Sequence, residues 1–263
     1  MIQRRLTMKK VSIFNHKGGV GKTTLTFNLA HTLVNCGKTV LVIDADAQFN
    51  LTTYALDEQK LQDLYFNNRY TIKKALEGIV RGSGDINVDS TVKLMDGFYL
   101  LPGHIDISEH EAQLPTAWTE CFTGYERGFR VHSAIHRLAT HLGEQVQADI
   151  ILYDLGPNVG PLNRALILSS DYFIIPVTPD HFSLMAIESV GKNVAKWYYE
   201  WDTAKKQLPS TVDFSIQNGT PKYAGYIVQQ FNISRGRATL AFEYWNQRIY
   251  PAMVEFVVNV IPF

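Results

Sequence analysis

The sequence predicts an α/β fold, a doubly wound and mostly parallel sheet with helices on both faces, and three observations carry that expectation. First, the apolar run 11–14 is followed by a glycine-rich stretch, 17–24, and then by residues 25–34, whose apolar positions recur at helical spacing. Second, short apolar runs at 39–43, 150–153 and 172–177 alternate with amphipathic segments. Two of these runs lead straight into aspartates, the pattern of buried parallel strands with polar groups at their carboxyl ends. Third, 263 residues at 46% hydrophobic content suffice for one large α/β core, so the chain reads as a single domain spanning 1–263.

The first strand, 11–14, opens into a loop carrying Gly18, Gly19 and Gly21. A loop that wraps backbone N–H groups around phosphate oxygens needs positive φ and close approach, and a Cβ blocks both. The N-terminus of the following helix adds its partial positive charge. In that frame Lys22 reaches the β- and γ-phosphates, the Thr23 hydroxyl is placed to ligand Mg²⁺, and Thr24 supports the α-phosphate. The common G-x-x-x-x-G-K-[ST] spacing asks for glycine at position 16, where His16 stands.

Gly37 suits the left-handed position that ends the first helix, and the second strand, 39–43, runs into Asp44 and Asp46. Carboxylates at the carboxyl end of a strand lie where doubly wound sheets bind ligands. Residues 71–79 form a short helix with Ile72, Ala75, Leu76 and Ile79 on one face, 81–85 a turn, and 98–101 a strand ended by Pro102 and Gly103. Asp106 opens a further helix. Trp118, Phe122, Tyr125 and Phe129 then mark a helical surface or a partner-facing loop, with core the commoner fate of such aromatics. Residues 131–142 are helical in pattern, and the strand 150–153 ends in Asp154, a hard oxygen ligand suited to Mg²⁺.

A helix over 162–169 and the buried strand 172–177 follow. Ser183 is expected to cap a long helix with Leu184, Ile187, Val190 and Val194 on one side and Lys192 and Lys196 on the other. Residues 208–221 read as a polar linker, 223–231 as a strand, 238–250 as a helix and 257–263 as a closing segment.

The loop Lys17-Gly18-Gly19-Val20-Gly21-Lys22-Thr23-Thr24 resembles the deviant Walker A motif of the ParA/MinD family of P-loop ATPases, and the likeness to ParA/Soj-type partition ATPases spans nearly the whole chain. The resemblance implies the P-loop NTPase fold, ATP and Mg²⁺ as cofactors, and a homodimer closed over two nucleotides. Lys17 would then be the signature lysine that crosses to the neighbour's nucleotide. Asp44-Ala45-Asp46-Ala47-Gln48 looks like the family's D-x-D-P-Q segment, with Ala47 replacing proline and Phe49 standing where glycine is common. On that likeness Asp46 orients the attacking water and Asp44 belongs to the Mg²⁺ shell. Asp154-Leu155-Gly156-Pro157 resembles the family's Asp-x-x-Pro, with Gly156 where another residue is usual, and the loop 158–161 responds to the γ-phosphate. Gln229, at a position that relatives fill with Asn, and Pro262 fall where the family places the adenine. Relatives continue past this point with a further strand and helices, so the resemblance implies that this chain lacks them.

Composition narrows the partners. Lysines plus arginines equal acids at 25 each, so nucleic-acid contact requires a local patch, for which Lys192, Lys196, Arg235, Arg237 and Arg248 are the candidates. Cys36 and Cys121 are far apart in sequence, which offers no disulfide framework, zinc site or iron–sulfur cluster and fits a reducing cytoplasm. No apolar run is long enough to span a membrane, and residues 1–10 lack the apolar segment of a signal peptide. The implied output is plasmid or chromosome partitioning by a slow ATPase switch on nonspecific DNA, with a ParB-like activator. The alternatives are a MinD-like positioning ATPase on a membrane and a small-molecule ligase or kinase of the same superfamily.

Overall fold

The computed structural model describes residues 8–67, 69–230, 233–234 and 237–261. Seven strands form one sheet: β1 (Lys9–Ile13), β2 (Val40–Asp44), β3 (Val92–Met95), β4 (Phe98–Leu101), β5 (Ile150–Asp154), β6 (Tyr172–Val177) and β7 (Lys222–Val228). Their order is β3-β4-β2-β5-β1-β6-β7. All pairs are parallel except β3 with β4. A parallel pair needs a crossover, and helices supply it. They are α1 (Lys22–Asn35), α2 (Asn50–Ala55), α3 (Glu58–Phe66), α4 (Ile72–Arg81), α5 (Ile107–Phe122), α6 (Glu126–His132), α7 (Ala134–Gln145), α8 (Pro161–Ser169), α9 (His181–Lys205) and α10 (Leu240–Met253). Two short strands, β8 (Ile233–Ser234) and β9 (Arg237–Ala238), pair apart from the main sheet, and a π-helical turn, Val254–Val258, follows α10.

The strand period of two divides the apolar residues between two layers. Val40, Val42, Leu100 and Leu152 join Ala30, Leu51 and Leu64 on the α1, α2 and α3 side. Leu41, Ile43, Leu101, Ile151 and Tyr153 join the larger cluster with α4, α5, α7, α8 and α9. Both faces of the central strands are therefore apolar. That is why β2 reads as an unbroken hydrophobic run up to Asp44 and is buried at every position.

Several sequence expectations meet corrections. Asp180, not Ser183, caps α9: its carboxylate accepts the Ser183 N–H, and the helix begins three residues earlier than the Ser183 reading requires. Residues 50–66 form α2 and α3, and Val92–Met95 adds an antiparallel edge strand; none of the three was anticipated. The supposed polar linker is a packed return. The Trp201 indole donates to the Gln217 carbonyl at 3.1 Å, and the buried Gln217 side chain meets His132 Nδ1 at 2.6 Å. The aromatics of α5 and α6 divide, with Trp118 and Phe129 in the core and Tyr125 exposed. The strand expected over 223–231 is β7, ending at Val228, while Phe231 lies outside the described residues.

The contact of α9 with the turn after α10 is tight enough to test. A Cβ on Gly191 would lie 1.7 Å from the Phe256 carbonyl oxygen, so two backbones touch there with no room for a methyl group. Gly191→Ala is expected to cost about 2–3 kcal/mol. A thermal melt shifted down by several degrees is the expected reading, and an unchanged melt would contradict the packing.

Candidate functional site

The carboxyl ends of β1, β2, β5 and β6 converge on one edge of the sheet, and the site is built there. The loop after β1 turns through Gly19 (φ 70°) and Gly21 (φ 77°), left-handed conformations that favour glycine. Gly21 is also the residue preceding α1, and no side chain caps that helix, so its first N–H groups stay free to face an anion. Asn15 braces the loop from below: its amide donates to the Pro176 carbonyl at 2.8 Å and its Oδ1 accepts from Lys17 N–H at 2.9 Å.

Beneath the loop lie three carboxylates. Asp44 and Asp154 are direct register partners on β2 and β5, both with no exposed surface, and Asp46 is buried just beyond. Burial pushes the Asp154 carboxyl up from the usual range, the nearby Asp44 pushes it further, and bonds from Thr23 and Thr26 oppose the rise. Asp44 is raised by burial as well, against hydrogen bonds from Thr52. Lys22 is buried among them and its Nζ donates to the Lys17 carbonyl at 3.3 Å. Burial lowers the Lys22 ammonium, while Asp154 and Asp46 hold it up.

One oxygen of Asp154, Oδ2, is buried with no hydrogen-bond partner among the described residues, and Oδ1 takes a long 3.3 Å bond from Thr26. Such an orphaned acceptor, beside a second carboxylate and the Thr23 hydroxyl, fits a hard cation. Among the described residues no group of three or more His, Cys, Asp or Glu side chains is arranged as a complete metal cage. Two adjacent carboxylates with a hydroxyl beside them suit Mg²⁺, which takes one or two carboxylates and completes its shell with water and phosphate.

Asp46 Oδ1 accepts from Gln48 N–H at 3.0 Å. A Cβ on Gly156 would lie 3.2 Å from that same oxygen, so glycine at 156 leaves the Asp46 carboxylate room against the loop after β5. Asn163 of α8 ties that loop down, donating to the Gly156 carbonyl at 2.9 Å and the Asn158 carbonyl at 2.8 Å.

Lys17 points back into its own chain. Its Nζ pairs with the Asp180 carboxylate and donates to Thr178 Oγ1 at 2.7 Å and Ser183 Oγ at 3.2 Å. Gln229 lies against the loop, its Oε1 3.4 Å from where a Cβ on Gly21 would sit. Gln230, which sequence reasoning did not single out, donates to the Gly19 carbonyl at 2.7 Å from a left-handed backbone. Thr52 and Gly103, which hold Asp44, were also missed. Pro262 and Arg235 lie outside the described residues, as does the Arg237 side chain. On α10 Arg248 folds over the Tyr244 ring, and on α9 Lys192 pairs with Glu188 at 2.5 Å and Lys196 with Glu200 at 3.8 Å. That face alternates in sign, the solvated-helix arrangement.

The raised carboxyls give a pH signature to the nucleotide-free protein. Their folded pKa values exceed the unfolded carboxylate value, so between about pH 4 and neutrality the folded state binds more protons than the unfolded chain. Stability contributed by the pair is thus present at the acid end and is lost as pH rises. Asp154→Asn is expected to raise the stability of the nucleotide-free protein at pH 8, by on the order of 2 kcal/mol, and to give little at pH 4. Melting curves at the two pH values check it, and a gain independent of pH would count against this electrostatic account.

Comparison with known proteins agrees with this architecture. The AAA domain family model AAA_31 matches residues 8–208. The chain is 32% identical over 181 residues to the uncharacterized protein MJECL24 of Methanocaldococcus jannaschii, covering 69% of this chain and 63% of that one. It is 27% identical over 186 residues to the chromosome-partitioning ATPase Soj of Thermus thermophilus, covering 70% and 60%. It thus spans about three fifths of the length of these curated relatives. Among solved structures, protein DIP2308 of Corynebacterium diphtheriae superposes with a TM-score of 0.83 at 24% identity, over 97% of this chain and 89% of that one. With the glycine loop, the strand-end carboxylates and a family match over most of its length, the chain belongs to the AAA_31 family of AAA domains and is of the ParA/MinD type.

Proposed function

We propose that this protein is a partition-type ATPase that binds ATP with Mg²⁺ in the loop Lys17–Thr24 and alternates between monomer and nucleotide-bound dimer. The observation that carries the reading is the buried carboxylate pair, one oxygen of it unpartnered, directly below a glycine loop whose lysine is buried with it. Thr23, Asp44 and Asp154 would hold the Mg²⁺, which when bound neutralises charge on the phosphates and helps orient them.

The chain's own residues do the rest. Backbone N–H groups of the loop and the uncapped start of α1 receive the phosphate oxygens. Lys22 supplies a fixed positive charge in a site that excludes water, where it stabilises a developing phosphoryl charge more than it would in solution. Asp46, fixed by Gln48 and with Gly156 leaving it space, accepts a hydrogen bond from the water that attacks. Gln229, whose side chain lies against Gly21 of the loop, is the proposed contact to the base, since an amide can hydrogen-bond a base edge.

Dimerisation is supported by what surrounds Lys17. Asp180, its partner, begins α9, whose first turns expose Phe182 and Met185 at 69% and 58%. Large apolar side chains so exposed beside a phosphate site favour a protein surface there. On this reading Lys17 exchanges Asp180 for the nucleotide of a second copy. Nonspecific DNA is the proposed surface and a ParB-like protein the proposed activator, in the cytoplasm. The proposed DNA contact draws on Lys192 and Lys196, whose ion pairs on α9 are exposed and weak, with Arg248 and the 235–237 segment.

Lys22→Ala is expected to weaken ATP binding by roughly tenfold or more, equal to about 1.4 kcal/mol, and unaltered affinity in a titration would contradict the site. Lys17→Gln should bind ATP normally yet remain monomeric by light scattering with ATP, and a persisting dimer would remove its role across the interface. Co-sedimentation with DNA and with liposomes, each with ATP, ADP or no nucleotide, separates the DNA reading from a membrane one. ATP-dependent DNA binding should fall steeply with salt.

A further inference from the structure

Asp44 is pinned by a residue that the ATP-site motifs do not name. Its Oδ2 accepts two bonds from Thr52, one from the backbone N–H at 2.8 Å and one from the hydroxyl at 2.6 Å. The Thr52 hydroxyl in turn accepts from Gly103 N–H at 2.8 Å. A hydroxyl has one proton, so with Gly103 donating to it that proton is committed to Asp44. Gly103, two residues past β4, closes the cage from the other side. A Cβ there would lie 2.9 Å from the Asp44 carboxyl carbon and 2.9 Å from Phe49 Cβ.

Helix capping accounts for the backbone half of this arrangement, since the Thr52 N–H lies in the first turn of α2, but it does not account for the hydroxyl bond. Thr52 lies inside α2 rather than at its cap, and it has no exposed surface. Its neighbour Thr53 does what a helical threonine ordinarily does, donating to the carbonyl four residues back, Phe49 O, at 3.2 Å. Thr52 instead turns out of its helix to a carboxylate on β2.

The need for such a brace follows from Asp154. The two aspartates are side by side on adjacent strands, with like charges and no solvent between them and the core. Left to itself, a repelled carboxylate rotates away or takes up a proton. Two donors on Oδ2 fix the carboxylate plane and leave Oδ1 with one long bond, 3.3 Å from Asp46 N–H, among the described residues.

We infer that Thr52 is a positioning residue for the divalent cation: by holding Asp44 Oδ2, it presents Oδ1 at a fixed place in the hydration shell of the nucleotide-bound Mg²⁺. The inference rests on the ATP–Mg²⁺ reading above and adds a residue to it. Thr52 touches neither nucleotide nor cation; it acts through Asp44. Because Mg²⁺ tolerates little departure from octahedral geometry, loss of the brace should weaken the cation's contribution to binding and leave the phosphate loop untouched.

The measurement is the affinity for a fluorescent ADP analogue in millimolar Mg²⁺ and in EDTA, whose ratio reports how much the cation tightens nucleotide binding. Thr52→Val keeps the shape and the backbone N–H but removes the hydroxyl. It is expected to shrink that ratio by about tenfold, about 1.4 kcal/mol, with the EDTA affinity within about twofold of the parent. Thr52→Ser should restore the ratio. Should the valine variant fail to fold, Thr52→Ala against Thr52→Ser gives the same comparison, and Gly103→Ala disturbs the same carboxylate from the β4 side. A full ratio in the hydroxyl-less variant, an equal loss of affinity with and without Mg²⁺, or a serine variant that does not recover would each overturn the proposal. A parent protein that binds no nucleotide under either condition would instead defeat the ATP reading itself.

Discussion

Two carboxylates of like charge, Asp44 and Asp154, stand next to each other at the ends of neighbouring strands with no access to solvent, and the rest of the structure is arranged to keep them there. Burying an ionised carboxylate without a partner costs several kcal/mol, and placing a second beside it costs more. The chain meets that cost with a lysine in the same pocket, with hydroxyls from Thr23, Thr26 and Thr52, and with a sheet whose two faces are both sealed by apolar layers. Strain of this kind in a cleft, left partly unsatisfied, is the physical mark of a site that expects a charged ligand.

The sheet supplies the precision. Asp44 and Asp154 are fixed relative to each other by the register of β2 on β5, and Ile13 of β1 is in register with Asp154 on the other side. The glycine loop that leaves β1 is therefore delivered directly over the carboxylates. α1 then carries Lys22 and Thr23 into the pocket in its first turn. The smaller apolar layer of α1, α2 and α3 closes one side of this edge, and α2 contributes Thr52 to it.

Much of this was legible in the sequence, for identifiable reasons. Strands buried on both faces leave unbroken apolar runs, so β2, β5 and β6 and the aspartates ending two of them could be read directly. The glycine loop is local in sequence and signals itself. Thr52 and Gly103 are different: Thr52 turns back to a carboxylate eight residues earlier, Gly103 meets Thr52 from about 50 residues away, and neither periodicity nor motif spacing records such meetings. The α2–α3 region was opaque because its helices are six and nine residues long and mostly polar, too short to show an apolar stripe. Asp180 as the α9 cap was hidden by Ser183, an equally good capping residue three positions on.

The two lysines of the loop are held in contrasting ways, and the contrast bears on how a switch could work. Lys22 is buried, surrounded by carboxylates that the sheet register fixes, and has nowhere else to go. Lys17 is held by Asp180, whose side chain is 39% exposed, and by two hydroxyls on the same short segment. An ion pair so open to water contributes at most about 1 kcal/mol, since water offers the ammonium nearly as much. A triphosphate presented by a second copy carries several negative oxygens and competes well against one half-solvated carboxylate. Asp180 also caps α9 through Ser183 N–H, so release of Lys17 leaves the carboxylate still bonded and the helix start intact. On the proposed reading, that exchange would separate two functions that one carboxylate serves: the fold would keep its helix cap, and only the cation would move.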